Sequence, residues 1–258
     1  LSLVGSEMCI RDRAMAVSQS TADDVESILG IPRERIDVVT EAADPVFRVL
    51  EDRAAATAAR TRHGIPEDAT LLVYVGGINP HKNLLGLLEA LPAVVTEHPD
   101  LHLAIVGSTT GEGFWDNVDE VRTFVAAHRP LPDRVHFTGY IDDRALVELL
   151  NGAAALVFPS LWEGFGLPAV EAMSCGVPVL ASDCSSLPEV VGDAGLYFEP
   201  RDPRSIADCL RRFLGDAALR DRLSEAALVR ASTFTWERAA ELAEACFRRC
   251  HEDATGRR

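Results

Sequence analysis

The sequence lacks long apolar runs and is poor in basic residues. No stretch of 18 or more apolar residues occurs, so no segment is predicted to span a membrane as a helix. Acidic residues outnumber basic ones by 40 to 25, which gives a formal net charge of -15. Because such a surface repels phosphate backbones and anionic lipids, we expect no nucleic acid among the partners. Any anion must then be bound at a local site.

The six cysteines also lack the spacing of a metal or disulfide framework. No CxxC pair occurs, and no histidine stands at metal-ligand spacing from a cysteine. We therefore expect reduced, mostly structural thiols in a cytoplasmic protein without a metal.

The first thirteen residues, LSLVGSEMCIRDR, do not resemble a natural protein segment. Residues 7–13 back-translate naturally into a transposon-end adapter used in sequencing libraries. We expect residues 1–13 to be an adapter artefact rather than a short natural extension, and exclude them from the fold prediction.

What the sequence does contain is an alternation of short apolar runs with helical stretches. The runs are continuous and rich in Val, Ile and Leu, as in parallel strands covered on both faces, and they lie at 71–77, 101–107, 135–139, 154–160 and 177–182. Three further helices are predicted around 203–214, 216–231 and 235–250. The pattern predicts an α/β fold with a doubly wound parallel sheet and C-terminal helices.

Residues 14–44 form a separate small unit in this prediction. A strand at AMAVS is followed by a helix capped at Ser20 or Thr21 and ended by Gly30, and then by a strand at IDVVT. A polar helix over about 51–62 comes next, so the main domain is placed at 45–258.

In open parallel sheets ligands bind beyond the carboxyl ends of the strands. The first candidate there is GGINPHKN (76–83), between a strand and a helix. Gly76 and Gly77 permit close backbone approach, while the helix start and Lys82 favour an anion. The alternative is a tight turn with a solvated lysine.

The second candidate is EGFGLPAVEA, which carries two carboxylates around a glycine turn. Pro168 suits the start of a short helix, so Glu171 lies one turn inside it and Glu163 on the loop before it. Two acids at opposite ends of a bed of backbone amides suit a ligand with hydroxyls at both ends and an anion between them. A nucleoside diphosphate sugar has this form.

A rival interpretation treats GFGLPA (164–169) as the GxGxxA variant of a dinucleotide fingerprint, with Asp183 as the acid that binds the ribose. This would make the protein an NAD-dependent oxidoreductase. Against it, five residues separate the strand from Gly164, and the helix is short for this role. A nucleotide-binding module without catalysis is the further alternative.

Two more loops follow predicted strands. The backbone around Ile141, in TGYID, could hold the edge of a base, although Asp142 as a helix N-cap explains the same letters. The stretch 107–115 is rich in glycine but has no basic residue and carries Glu112, and we expect a mobile loop there rather than a phosphate site.

With these motifs in order, residues 14–250 resemble the C-terminal domain of GT-B-fold retaining glycosyltransferases of family four, the glycosyl transferases group 1. The strongest motif is VFPSLWEGFGLPAVEAMSCGVPVLASDCSSLPEVVGDAG, which contains the E-x7-E signature at Glu163 and Glu171. The resemblance implies a Rossmann-like half of a GT-B fold. It also implies transfer of a sugar from a nucleotide diphosphate donor with retention, without a metal or other cofactor.

The resemblance also implies residue roles. Glu163 would contact the donor sugar and Glu171 the ribose, Lys82 would bind the pyrophosphate, and the Ile141 backbone would meet the base. The remaining donor-binding residues would be Gly76, Gly77, Asn83, Gly164, Phe165, Gly166 and Leu167, with Glu163 and Lys82 as the catalytic pair. Gly77 departs from the family, many members of which have an arginine five residues before the lysine.

The family has a second, N-terminal domain that binds the acceptor. Residues 14–44 resemble only its last strand, helix and strand, so the chain is expected to be N-terminally truncated and inactive alone. The acceptor is unknown, and the missing domain is the expected partner. That domain could bring the protein to the inner membrane.

Overall fold

The computed structural model describes residues 13–109 and 116–255. The proposed adapter segment lies outside the described residues up to residue 12, as does the part of the predicted mobile loop over 110–115. Within the described ranges, no helix combines the length and the apolar character that crossing a bilayer requires.

A small N-terminal unit comes first in the chain. It consists of β1 (Ala14–Ala16), α1 (Gln19–Leu29) and β2 (Ile36–Val38), with β1 and β2 paired in parallel. Helix α1 begins earlier than predicted, because its N-cap is Ser18, whose hydroxyl accepts the Thr21 N–H. Its predicted end is confirmed, since Gly30 caps it in the left-handed conformation.

The main sheet is six-stranded and parallel. Its strands are β3 (Thr70–Val75), β4 (Leu101–Val106), β5 (Val135–Gly139), β6 (Ala155–Phe158), β7 (Val179–Ser182) and β8 (Gly195–Phe198), in the order β5-β4-β3-β6-β7-β8. The chain thus winds outward from β3 in one direction and from β6 in the other. This is the doubly wound arrangement, and the predicted fold class is confirmed.

Helices cover both faces of this sheet. They are α2 (Arg53–Arg62), α3 (Leu84–Glu97), α4 (Val118–Ala127), α5 (Asp143–Asn151), α6 (Leu167–Ser174) and α7 (Leu187–Val191), followed by α8 (Pro203–Gly215), α9 (Ala217–Ala231) and α10 (Trp236–Thr255). Successive residues of β3 belong to different cores: Leu72 and Tyr74 to one, Leu71 and Val73 to the other. The strands are therefore buried on both faces, which explains their continuous apolar runs.

Candidate functional site

Two loops meet where the sheet reverses direction. The first follows β3 and contains Gly76 to Asn83, with a single 3₁₀ turn over Pro80–Lys82. The second follows β6 and leads into α6. Because β3 and β6 are neighbours, the loops lie side by side, and the Leu161 N–H donates to the His81 carbonyl at 2.8 Å. This edge is the position at which doubly wound folds bind their ligands.

Lys82 and Glu163, predicted on separate loops, form an ion pair. Lys82 Nζ lies 2.6 Å from Glu163 Oε1, and the side chains are 17% and 11% exposed. Beneath them, the buried Tyr74 hydroxyl donates to the Gly77 carbonyl at 2.6 Å. Burial, and secondarily the charge of Glu163, raises the pKa of Tyr74, which keeps it a neutral donor. The ion pair is therefore mostly buried, and the tyrosine beside it is neutral and hydrogen-bonded.

The turn Gly164 to Gly166 is held by serines that the sequence analysis did not identify. Ser185 Oγ donates to the Glu163 carbonyl at 2.5 Å and accepts the Glu163 N–H at 2.9 Å. Buried Ser186 donates to the Phe165 carbonyl at 2.8 Å. The available signal was the pair of serines shortly after β7, at the same edge of the sheet.

This arrangement leaves backbone donors without acceptors. In a trans peptide the carbonyl and the following N–H point in opposite directions, so the N–H groups of Gly164 and Gly166 point away from the serines. Across 13–109 and 116–255, no acceptor is hydrogen-bonded to the N–H of Gly164, Phe165 or Gly166. Phe165 is 3% exposed. Gly166 is also buried, and Gly164 is half-buried. Buried N–H groups without partners are costly, and an anionic ligand would satisfy them.

The backbone at Gly166 also requires glycine. Its φ is +100°, and a Cβ would lie 2.9 Å from Leu187 Cδ2. Gly166 is the N-cap of α6, and Leu167 and Pro168 form its first turn. The turn therefore delivers the unpaired N–H groups directly to the positive end of the helix dipole.

Glu171 lies one turn further along α6. Its burial, and secondarily the charge of Asp143 at the start of α5, raises its pKa to about 7. The adjacent Asp142 caps α5 by accepting the Ala145 N–H at 2.9 Å, as the alternative interpretation of that loop predicted. Ile141 is half-buried beside it, and its proposed base contact stays a prediction.

Two residues of the first loop differ in character from Lys82. Asn83 has φ +54° and donates its amide to the Pro200 carbonyl at 2.7 Å, so its side chain ties the loop to the segment after β8. Gly77 is exposed, and a Cβ there would lie 3.0 Å from Asn79 Nδ2. An arginine at this position would therefore require Asn79 to move.

Metal ligands do not cluster in the part of the chain that the structure describes. No group of three or more His, Cys, Asp or Glu side chains could hold an ion there. Lys82 and the backbone N–H groups therefore offer positive charge to an anion at this site.

Comparisons with known proteins fit this geometry. The family described as "Glycosyl transferases group 1" matches residues 56–230. O-antigen chain mannosyltransferase B of Escherichia coli is 38% identical over 165 residues, which cover 64% of this chain and 42% of that protein. D-inositol 3-phosphate glycosyltransferase of Streptomyces avermitilis is 34% identical over 236 residues, covering 89% of this chain and 50% of that protein. The chain thus spans about half the length of these relatives.

Among solved structures, sucrose-phosphate synthase from Thermosynechococcus elongatus superposes with a TM-score of 0.78 at 26% identity. The match covers 97% of this chain and 62% of that one. It includes the N-terminal unit as well as the six-stranded sheet.

Proposed function

The chain belongs to the glycosyl transferases group 1, and we propose that it binds a nucleoside diphosphate sugar whose sugar is transferred to an acceptor with retention at the anomeric carbon. The observation that carries this proposal is the row of unpaired N–H groups at Gly164 to Gly166. They lie between the Lys82–Glu163 pair and Glu171, at the start of a helix and at the reversal point of the sheet.

Each part of the donor has a matching part of the site. The diphosphate meets the N–H groups and Lys82, and the glycines at 76 and 77 leave it room to approach. The ribose hydroxyls donate to Glu171, and the sugar hydroxyls donate to Glu163. The backbone of Ile141 contacts the base. No metal is needed for these contacts.

Donor binding exchanges partners within the ion pair. Lys82 and Glu163 neutralise each other at 2.6 Å. A donor offers phosphate oxygens to Lys82 and hydroxyl groups to Glu163, so both charges keep a partner. Lys82 and the α6 N-terminus then stabilise the negative charge that grows on the leaving diphosphate, which is where preorganised charge accelerates transfer.

The division of labour in the whole protein is also part of the proposal. Residues 45–258 form the donor-binding domain, and residues 14–44 belong to a second domain that binds the acceptor. Transfer needs both walls of the cleft, because charge stabilisation is strongest where water is excluded. We therefore expect this chain to bind the donor without turning it over.

Isothermal titration calorimetry tests the donor site with UDP, GDP and ADP, and with UDP-glucose, GDP-mannose and ADP-glucose. Glu171→Ala should weaken the nucleotide that binds and its sugar derivative alike, by about 1.5–3 kcal/mol, because charge-assisted bonds to the ribose are lost. Glu163→Ala should weaken the sugar derivative but not the free diphosphate, since Lys82 loses a competing partner.

Glu225→Ala is the matched control, because it removes an exposed acid of α9 that takes part in none of the site contacts described above. The reverse order for the two site variants would contradict the residue roles. NADH is titrated in parallel, and tight binding that depends on Asp183 would favour the oxidoreductase instead. Absence of binding by every sugar nucleotide would overturn the proposed function.

A further inference from the structure

The N-terminal unit reaches into the donor loop. Ser18 Oγ donates to the Gly164 carbonyl at 2.5 Å, and Thr21 Oγ1 donates to the same oxygen at 2.8 Å. The two hydroxyl oxygens lie 2.9 Å apart, and Ser18 is fully buried. One carbonyl oxygen of the loop is therefore held by two hydroxyls from a segment about 145 residues away in sequence.

Further contacts fix α1 beside this carbonyl. Glu189 of α7 accepts the N–H groups of Gln19 at 2.8 Å and Ser20 at 3.2 Å, which satisfies the free end of α1. On the other side, Trp162 Nε1 donates to Asp24 at 3.0 Å. Helix α1 is thus bonded to residues on both sides of Gly164 in the sequence, Trp162 and Glu189, so its two hydroxyls are held in place.

Because the peptide bond is planar, the hydrogen bonds to the Gly164 carbonyl also orient the next N–H group. The Gly164 carbonyl and the Phe165 N–H belong to one planar trans unit and point in opposite directions. Fixing the carbonyl against α1 fixes the Phe165 N–H on the other side of the turn. Ser185 and Ser186 do the same for the Gly164 and Gly166 N–H groups from within the main domain.

We propose that Ser18 and Thr21 are positioning residues of the donor site, which orient the Phe165 N–H toward the donor diphosphate. The inference rests on the proposed function and adds residues outside the family motif to it. Glycine at 164 can rotate its peptide freely, so without the two hydroxyls the N–H would turn among several directions. Donor affinity then depends on contact between the N-terminal unit and the main domain.

The test replaces the Thr21 hydroxyl with a methyl group of the same shape. In calorimetry with whichever of UDP, GDP and ADP binds most tightly, Thr21→Val should weaken binding about tenfold, the effect of one oriented hydrogen bond. Thr21→Ser keeps the hydroxyl and should bind within about twofold of the parent protein. Ser27→Ala is the control, since within the described part of the chain that exposed hydroxyl of α1 bonds only to the Asp24 carbonyl.

A structural role alone would lower the melting temperature without separating these variants by their ligands. We therefore compare the diphosphate with its uncharged nucleoside, whose binding Thr21→Val should leave unchanged. Ser18→Gly, which keeps a good N-cap residue, is the second variant and should behave like Thr21→Val. Normal diphosphate binding by a folded Thr21→Val would overturn the proposal.

A measurement on the parent protein covers the case in which both variants unfold. Backbone amide NMR during titration with the diphosphate should show a large downfield shift for Phe165. An unshifted Phe165 amide in a protein that binds the diphosphate overturns the positioning role alone. No binding of any diphosphate by the parent protein overturns the proposed function and this inference with it.

Discussion

Glu171 is a carboxyl group whose charge state changes near neutral pH. Burial raises its pKa to about 7, and the charge of Asp143 adds to the effect. Since the folded pKa exceeds the value of about 4.3 expected in the unfolded chain, this group stabilises the fold at low pH and loses that contribution as pH rises through 7. Binding of the proposed donor requires the carboxylate form of Glu171, which high pH favours.

We accordingly expect donor affinity to rise with pH. At pH 6 about a tenth of Glu171 is ionised, so the sugar nucleotide should bind about tenfold more weakly than at pH 8, with release of a proton. Calorimetry in two buffers of different ionisation enthalpy counts that proton. A sugar nucleotide is preferable to a free diphosphate, because a terminal phosphate itself titrates near pH 6.

Glu171→Gln provides the control for this pH effect. It keeps the shape of the side chain and removes the titration, so its affinity should be weaker but level between pH 6 and 8. A parent protein with level affinity over that range, or a variant with the same slope as the parent, would contradict the assignment of the proton to Glu171.

The residues of the site differ in how far the sequence predicts them. Lys82 and Glu163 follow buried strands, so their place at one edge of the sheet was predictable, whereas their direct ion pair was not. Ser18 could not be identified from the sequence, and the only signal for Ser185 and Ser186 was their position after β7, because loop hydroxyls are common and the role of these three comes from contacts across the fold. Hydrogen bonds between distant segments leave no spacing in the sequence.

At the level of secondary structure, β4 and β5 bring two histidines together at the end of the sheet away from the site. His102 Nδ1 lies 2.8 Å from His136 Nε2, and Arg134 lies 2.9 Å from the other nitrogen of His102. Burial first, then the charges of His136 and Arg134, lower the pKa of His102 to about 4. Burial also lowers the pKa of His136. Both rings are held neutral in the fold.

The histidine pair should make the fold sensitive to acid. Because the folded pKa of His102 is below its unfolded value of about 6.5, its stabilising contribution is complete above pH 6.5 and is lost as pH falls toward 4. Between pH 7 and 5 we expect the free energy of unfolding to fall by about 2 kcal/mol from this residue. Urea denaturation at pH 5, 6 and 7 measures the slope.

His102→Gln should flatten that slope, while His128→Gln should not, since His128 is exposed on the end of α4. Arg134 is present both in the parent protein and in His102→Gln, so its charge does not account for a difference in slope between these two proteins. A slope that His102→Gln leaves unchanged would place the acid sensitivity in other groups.

Helices and strands were predicted where apolar runs and caps agreed. The three C-terminal helices and five strands of the main sheet are confirmed. Strand β8 was missed, because GLYF offers a shorter run than any of the five runs from which strands were predicted. The predicted cap of α1, Ser20 or Thr21, was wrong: the N-cap is Ser18, whose hydroxyl also bonds to the distant Gly164 carbonyl, a contact that the local sequence does not reveal.

At the scale of the whole molecule, the N-terminal unit depends on the rest of the chain. Among the described residues its own buried core consists of Ala16, Ala22 and Ile36, too little for an independent fold. Helix α1 is hydrogen-bonded to the Gly164 carbonyl, and β2 is bonded through Asp37 to α10. The N-terminal unit therefore contacts both the loop before α6 and the C-terminal helix α10.

Asp37 of β2 is the centre of that second attachment. It accepts hydrogen bonds at 2.7 Å from Arg13, the last residue of the proposed adapter segment, and at 2.6 Å from Arg249 of α10, and the carboxylate is 11% exposed. Burial alone would raise the pKa of Asp37, but the hydrogen bonds from Arg13, Cys246 and Arg249 outweigh it and lower the pKa to about 2. The carboxylate thus stays charged throughout the neutral range and stabilises the attachment above pH 4.

Asp37→Asn should weaken the attachment of the N-terminal unit to α10. The variant leaves two arginines beside a neutral amide, and we expect a loss of about 2–3 kcal/mol in the free energy of unfolding, less than for a fully buried ion pair because Arg249 is 45% exposed. Urea denaturation at pH 7 measures it, with Asp23→Asn on the exposed face of α1 as the control. Because the contribution of Asp37 disappears as pH falls through 2, the difference between variant and parent should shrink in strong acid. Equal stability of Asp37→Asn and the parent at pH 7 would show that α10 is held to the N-terminal unit by packing rather than by this carboxylate.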